Sequence, residues 1–356
     1  MDAKKLFISD VHIGAGRFHV EKADYPYEWD WLSDKETQNF VAFLDYLRTG
    51  YPEKIEEIVF LGDIFDNWVF PHDQVPPTME ELIAEPKNQN VVNALKALAD
   101  KHRVFYVPGN HDMHATREFM SKHFGGITYC PEQFVDGRLL AEHGHRYALF
   151  NAPPYFSEHY YGLPIGYFIS RIEATRKGKT NQGGRSYRTY VDDFLEMVGP
   201  ATLPQCVLEA VLEETGLGDE AEFKVKTKSG DVVSISAAQV KERYRDVYED
   251  WPDQVVSSPR AVFAELDRLG PIADRLCKHG KHKVCIFGHS HKGEVDKDTW
   301  FVDDRIYANT GFWCGARCTF VETGKAQSNK AYQVRLLRWK GDGKIKQEKV
   351  QKLARR

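Results

Sequence analysis

The sequence predicts a layered α/β fold, and three observations carry that prediction. Short apolar runs rich in β-branched and aromatic residues (Lys5-Leu6-Phe7-Ile8, Ile58-Val59-Phe60-Leu61, Val104-Phe105-Tyr106-Val107, Val284-Cys285-Ile286-Phe287) alternate with segments of helical spacing. Each run stops at a glycine or a polar turn residue, as a buried strand does where it meets a loop. The residues just beyond those stops are carboxylates, amides and imidazoles, and strand ends are where open α/β sheets place their chemistry.

Taken in order, residues 5–9 form the first expected strand, which leads into Asp10-Val11-His12-Ile13-Gly14. A polar segment rich in aromatics follows, from Tyr25 to Trp31. Ser33 then caps a helix over Asp34 to Arg48 with Phe40, Phe43, Leu44 and Leu47 on one face. The second strand, 58–61, opens onto Gly62-Asp63-Ile64-Phe65-Asp66. The proline-bearing stretch 69–87 is expected to be irregular and to rim the site. A helix at 88–101 buries Val91, Val92, Leu95 and Leu98, and a strand at 103–107 delivers Pro108-Gly109-Asn110-His111-Asp112. A short helix at 115–123 and strand-like pieces at 127–130, 133–136 and 138–142 lead to His143-Gly144-His145.

Residues 146–280 change character. Tyr147 to Phe168 is crowded with aromatics and broken by Pro153, Pro154 and Pro164. A basic stretch follows (Arg171, Arg176, Lys177, Lys179, Arg185, Arg188), then helical patterns at 189–198 and 204–215, a hairpin over 222–235, and helices at 237–249 and 259–278. Nothing in this stretch resembles a second catalytic centre, so it reads as an insertion forming a cap. Its aromatics and cations are expected either to pack a core beneath a solvated basic face or to hold the remainder of a substrate, including a second phosphate. The main pattern resumes at 283–287, which runs into Gly288-His289-Ser290-His291. Strands near 294–302, 305–309, 316–322 and 331–339 and a hairpin turning at Gly341-Asp342-Gly343 close the chain.

At 356 residues and a formal net charge of −4, the chain can bury a sizeable core and carries no global basic field for nucleic acid. No apolar run approaches membrane-spanning length, no secretory leader is evident, and a cytoplasmic location is expected. The six cysteines show no metal-type spacing and are expected as free thiols.

The polar residues at the strand ends form a set: Asp10, His12, Asp63, Asn110, His143, His289 and His291. Carboxylate, amide oxygen and imidazole suit hard and borderline divalent cations, whereas thiolates select softer ones. Seven ligands exceed one tetrahedral site and match two ions that share a carboxylate. Asp112 is expected to fix its loop, His145 either to support a ligand or to pack, and the remaining histidines to lie on the surface or in packing, with His114 nearest the set.

These five segments, in this order, resemble the motifs of the calcineurin-like metallophosphoesterase superfamily over roughly residues 4–145 and 282–322. The resemblance implies two packed β-sheets flanked by helices, with a core of residues 1–145 and 281–356 and a large, mostly helical insertion at 146–280. It implies two divalent metal ions, Mn²⁺ foremost and Fe, Zn or Ni as other occupants. Asp10, His12, Asp63 and His291 would hold one, and a bridging Asp63 with Asn110, His143 and His289 the other. The implied reaction is hydrolysis of a phosphodiester or pyrophosphate bond through a hydroxide bridging the metals. His111 would act as acid or charge stabiliser with Asp66 orienting it, and Arg17 would reach the phosphate from the first loop.

The wording Gly62-Asp63-Ile64-Phe65-Asp66-Asn67-Trp68, and an arginine-bearing insertion directly after His143-Gly144-His145, are similar to the bacterial UDP-2,3-diacylglucosamine pyrophosphatase branch. Many members of that branch carry arginine where this chain has His111, and their insertion is shorter. Protein phosphatases of the superfamily carry Arg-Gly after the second aspartate, where Asn67 and Trp68 stand here. The expected partner is a small or lipid-linked phosphoester, such as a nucleotide-sugar, with no transmembrane segment, peripheral membrane contact allowed and the oligomeric state open. The alternative is a DNA-directed nuclease using the same metal centre; the slight acidity opposes it and the basic stretch at 171–188 keeps it in play. A scaffold that had lost its metals would lack ligands, and this chain lacks none.

Overall fold

The computed structural model describes residues 3–14, 31–153, 162–179, 199, 201–227, 230–252, 256–266, 269–297, 305–313, 317–325 and 332–353. Arg17, Tyr25, the helix expected at 189–198, Arg185, Arg188 and Cys314 lie outside these residues.

The strands are β1 (Lys4–Ile8), β2 (Ile55–Leu61), β3 (Arg103–Val107), β4 (Ile127–Tyr129), β5 (Phe134–Asp136), β6 (Leu139–Ala141), β7 (Glu222–Lys226), β8 (Val232–Ser236), β9 (Val284–Phe287), β10 (Glu294–Lys297), β11 (Ile306–Asn309), β12 (Thr319–Lys325), β13 (Tyr332–Trp339) and β14 (Ile345–Leu353). They form a seven-stranded sheet in the order β14-β13-β12-β1-β2-β3-β4, a five-stranded sheet in the order β10-β11-β9-β6-β5, and the β7-β8 hairpin. In the first sheet β1, β2, β3 and β4 run parallel, so their carboxyl ends emerge along one edge. In the second, β6, β9 and β11 do the same. Register finishes the alignment: Ile8 pairs with Phe60, Leu61 with Val107 and Ala141 with Ile286, so the following loops start side by side.

The alternation of side chains along a strand explains how the two sheets pack. Phe7, Val59, Leu61 and Val107 face Leu139, Ala141, Val284 and Ile286 of the other sheet in one apolar cluster. The intervening residues Leu6, Ile8, Ile58, Phe60 and Tyr106 point outward, beneath the helices Asp34–Thr49 and Gln89–Ala99. On the outer face of the second sheet, Cys285, Phe287 and Tyr307 share a cluster with Phe168, Ile172, Leu208, Phe223 and Val240 from residues 146–280. Both central sheets are therefore covered on two sides, which is why their strands read as continuous apolar runs.

Four elements differ from the sequence expectation. Residues 69–87 include a helix, Met79–Ala84, whose Thr78 and Glu81 make a reciprocal capping box. Ile165–Lys179, given no secondary structure by the sequence, is a helix. The helix expected over 237–249 stops at Arg243. The helix expected over 259–278 is two, Ser258–Glu265 and Gly270–Gly280, with Pro271 in the first turn of the second, where its missing N–H costs no helical hydrogen bond.

Candidate metal centre

The loops after β1, β2, β3, β6 and β9 meet at the common edge, and close backbone approach sets their spacing. Gly62 adopts φ +77°, and a Cβ there would sit 2.8 Å from the Pro108 carbonyl carbon; a Cβ on Gly109 would sit 2.6 Å from the Asp63 nitrogen. Five of the seven expected ligands occupy left-handed backbone: Asp10 (φ 55°), His12 (55°), Asp63 (52°), His289 (67°) and His291 (57°). Such conformations cost energy for residues with a Cβ and gather at functional sites.

One group forms around the first loop. His12 Nδ1 donates to Asp66 Oδ2 at 2.9 Å, which leaves Nε2 as the ring atom turned toward the other residues of the group. That Nε2 lies 3.1 Å from His291 Nε2, 3.9 Å from Asp63 Oδ2 and 4.0 Å from Asp10 Oδ1. His291 Nε2 is 3.2 Å from Asp10 Oδ1. A second group forms beside it. His143 Nδ1 donates to the Leu61 carbonyl at 2.6 Å, and its Nε2 lies 3.1 Å from Asp63 Oδ2 and 3.2 Å from Asn110 Oδ1. Ligand atoms of Asp63, His143 and His289 fall within 4.8 Å of one another, as do those of Asp10, His12 and His291. The structure thus brings all seven residues together, with Asp63 in reach of both groups.

The electrostatics match. Burial alone would raise the Asp63 carboxyl, but His143 and His111 bring it well below the usual range. Asp10 is held low in the same way, chiefly by His143 and His291 acting against burial. Burial opposes the charge on His143, yet Asp63 and Asp10 push its imidazole up to about 9. A carboxylate oxygen, an amide oxygen and a ring nitrogen face one another with no hydrogen-bond donor among them unless a proton binds. A cation fits that space. The donor set is oxygen and nitrogen only, and none of the candidate clusters among the described residues includes a cysteine.

Asp66 gathers the contacts beside the first group. Its Oδ1 accepts from the Trp68 and Val69 nitrogens at 2.9 and 3.1 Å, and its Oδ2 accepts from His12 and from Trp31 Nε1, each at 2.9 Å. His111 Nδ1 lies 2.8 Å from the same Oδ2. Burial pulls the His111 imidazole down, but Asp66 and Asp63 outweigh it and raise it above its ordinary value. The Trp68 indole lies against the His111 ring at 4.6 Å and 32°. Asp112 accepts from the backbone nitrogens of Gly109 (2.6 Å) and Ile64 (2.8 Å) and from the Tyr106 hydroxyl; it fixes its loop, as expected. His145 is buried 5.3 Å ring to ring from His143. His114 Nδ1 sits 3.5 Å from Asn67 Nδ2.

Of the two expectations for the basic stretch, Arg171 follows packing and not contact with substrate. It is fully buried, and its guanidinium donates to the carbonyls of Phe70 (2.7 Å), Pro71 (2.6 Å), His72 (3.2 Å), Gln74 (2.5 Å) and Lys224 (3.2 Å). It fastens the loop after Trp68 and is spent on that. Phe312 was missed by the sequence reading: it stacks on His291 at 4.3 Å and 17° and packs against Trp31. The signal was present, because β11 ends at Asn309 beside the other motif-bearing strands.

Two curated relatives, the UDP-2,3-diacylglucosamine hydrolases of Shewanella pealeana and Shewanella piezotolerans, are 26% and 25% identical over 131 residues, covering 37% of this chain. The match spans 42% of those relatives' own length. Among solved structures, Pseudomonas putida nuclease MPE aligns with TM-score 0.26 and 21% identity over 39% of this chain and 53% of that one. A single mutant of Vps29 from Entamoeba histolytica aligns with TM-score 0.34 and 13% identity over 99% of each chain. The profile of the calcineurin-like phosphoesterases matches residues 3–293, from the strand that delivers Asp10 to just past His291, and the chain belongs to that family.

Proposed function

We propose that this chain is a dinuclear-metal hydrolase of phosphodiester or pyrophosphate bonds, with a nucleotide-linked substrate that bears a sugar or lipid. One observation carries the reading: the Asp63 carboxylate lies between two groups of lone pairs that only protons or cations can reconcile. Asp10, His12, Asp63 and His291 would hold one ion, and Asp63, Asn110, His143 and His289 the other. Cations held by these residues would supply positive charge to phosphoryl oxygens and would make water there more acidic. Mn²⁺ suits a mixed set of carboxylate, amide and imidazole donors.

The chain's own residues supply the rest. Burial lowers the His111 imidazole, but Asp66 and Asp63 outweigh it and favour its protonated form, so His111 would meet a phosphoryl oxygen or hand a proton to the departing one. Trp68 packs against that ring at 32° and Asp66 Oδ2 lies 2.8 Å from its Nδ1, so the ring is confined between them. Trp31 and Phe312 wall the His12–His291 side against water. The substrate class rests on the relatives' names and on Asn67-Trp68 following Asp66. Residues 146–280, read as an insertion, cover the second sheet's outer face and, through Asn151, reach Asn110. The nuclease alternative loses Arg171 as a phosphate contact.

The test strips the metal, restores Mn²⁺, and assays bis-p-nitrophenyl phosphate, a UDP-linked acylated sugar and single-stranded DNA in parallel. Turnover of the first two and not of DNA is expected. Asp63→Ala should lose both Mn²⁺ ions by elemental analysis and all turnover. No turnover of any phosphoester by the Mn²⁺-loaded wild type would remove the hydrolase reading, and cleavage of DNA alone would replace it with the nuclease.

A further inference from the structure

An amide can ligate a cation only through its oxygen, because its nitrogen has two hydrogens and no available lone pair. Which way the Asn110 amide faces is therefore decisive, and the structure shows what decides it. Asn110 Nδ2 donates to Asn151 Oδ1 at 3.3 Å. Asn151 Nδ2 donates in turn to Glu265 Oε1 at 2.7 Å, while Glu265 Oε2 accepts from the Phe150 nitrogen at 3.0 Å. All three side chains are buried, at 2%, 5% and 1% exposure for Asn110, Asn151 and Glu265.

The relay has one workable polarity. An ionised carboxylate only accepts, so Asn151 must turn its nitrogen toward Glu265 and its oxygen toward Asn110. Asn110 must then give its nitrogen to Asn151, which leaves its oxygen facing His143 Nε2 at 3.2 Å. Flipping Asn151 would set its oxygen against the carboxylate, and flipping Asn110 alone would set two amide oxygens against each other, in a buried space. Glu265 also stands at the last position of the helix Ser258–Glu265, the end where a negative charge is least favoured, so local helix energetics do not explain it. A second contact shapes the same relay. Gly166, in the helix Ile165–Lys179, passes so near that an added Cβ would sit 2.5 Å from Asn151 Oδ1.

We propose that Glu265 and Asn151 are positioning residues: they lock the Asn110 amide with its oxygen toward His143 and Asp63, and so set the metal affinity of that half of the centre. The inference rests on the dinuclear reading above. It gives residues 146–280 a part in the site that contact with substrate does not require. The charge at the far end also polarises both amides in one sense, making the Asn110 oxygen a better ligand for a hard cation.

Calorimetric titration of the full-length, metal-stripped chain with Mn²⁺, alongside Glu265→Gln, Asn151→Ala and Gly166→Ala, tests this. The expected result is two ions per wild-type chain, with one of the two weakened about 10–100-fold in each variant. The other ion, held by Asp10, His12, Asp63 and His291, should keep its affinity. Asn151→Ala leaves the Glu265 bond to Phe150 intact, so the question stays answerable should Glu265→Gln fail to fold. Wild-type affinity at both positions in every folded variant overturns the inference, as does equal weakening of both ions together with a lowered Tm, which would mark a merely structural role. A wild type that binds two ions and hydrolyses phosphoesters while the variants behave like it sinks the relay alone. A wild type that takes up no Mn²⁺ sinks the dinuclear reading and the relay with it.

Discussion

The Nε2 atoms of His12 and His291 face each other at 3.1 Å across 279 residues of chain. Two ring nitrogens at that distance need a proton or a cation between them. The same competition governs His143, whose imidazole is raised from 6.5 to about 9 in the cation-free chain. A raised folded-state value means that His143 stabilises the metal-free protein fully below pH 6.5 and loses that contribution as pH rises through about 9. Mn²⁺ should therefore raise Tm, by the equivalent of about 2.7 kcal/mol at a hundred times its Kd, and the gain should grow between pH 6.5 and 8.5. Thermal melts with Mn²⁺ and with EDTA across that range check it; a gain that shrinks with rising pH would contradict it.

His111→Ala should leave both ions bound and slow hydrolysis of substrates with poor leaving groups by about 10²–10⁴-fold. With p-nitrophenol departing, which needs little protonation, the loss should be far smaller. The ratio of kcat values on the two substrates is the measurement, and an equal loss on both would take proton donation away from His111.

Arg171→Met should cost about 3 kcal/mol or more in urea unfolding, because the carbonyls of the Phe70–Gln74 loop lose their buried donor. Arg171→Lys should recover little of it. A compact ammonium has too few donors, in the wrong geometry, for carbonyls spread across that loop. Near-wild-type stability in either variant would show that the loop is held by other means.

Glu142, next to His143 in the chain, offers a second pH test. Burial pushes its carboxyl up to about 7, against the partial compensation of the Tyr147 hydroxyl, which donates at 2.7 Å to Oε1. The native state therefore holds a proton that the unfolded chain releases near 4.5. Stability from this group is full below pH 4.5 and falls as pH rises through about 7. In metal-stripped protein, Glu142→Gln should match wild type near pH 5 and exceed it at pH 8 by on the order of 2–3 kcal/mol. Parallel stability curves for the two proteins would refute it.

Much of this was legible in the sequence because the strands are buried on both faces and end on turn residues, which marks Asp10, Asp63, Asn110, His143 and His289 as neighbours along one edge. The capping box of Thr78 and Glu81 was equally legible, but the prolines around it masked the helix it starts. The helix Ile165–Lys179 carried no readable stripe, since Arg171 and Thr175 are buried along with Phe168, Ile169 and Ile172. A buried arginine in a cationic run looks like any solvated one until its carbonyl partners are known. Asn151 and Glu265 had no signal at all: their bonds link positions 41 and 114 residues apart, and neither follows a strand.

The left-handed turns at Asp10, His12, Asp63, His289 and His291 narrow the set of amino acids that can replace these residues. Asparagine, aspartate, histidine and glycine sit there at modest cost, while valine or isoleucine would strain the main chain whatever its side chain touched. Drift away from this centre should accordingly pass first through Asn and Gly, leaving a recognisable shape after the chemistry is gone. A descendant that had lost its ions would still betray its ancestry in those five torsion angles.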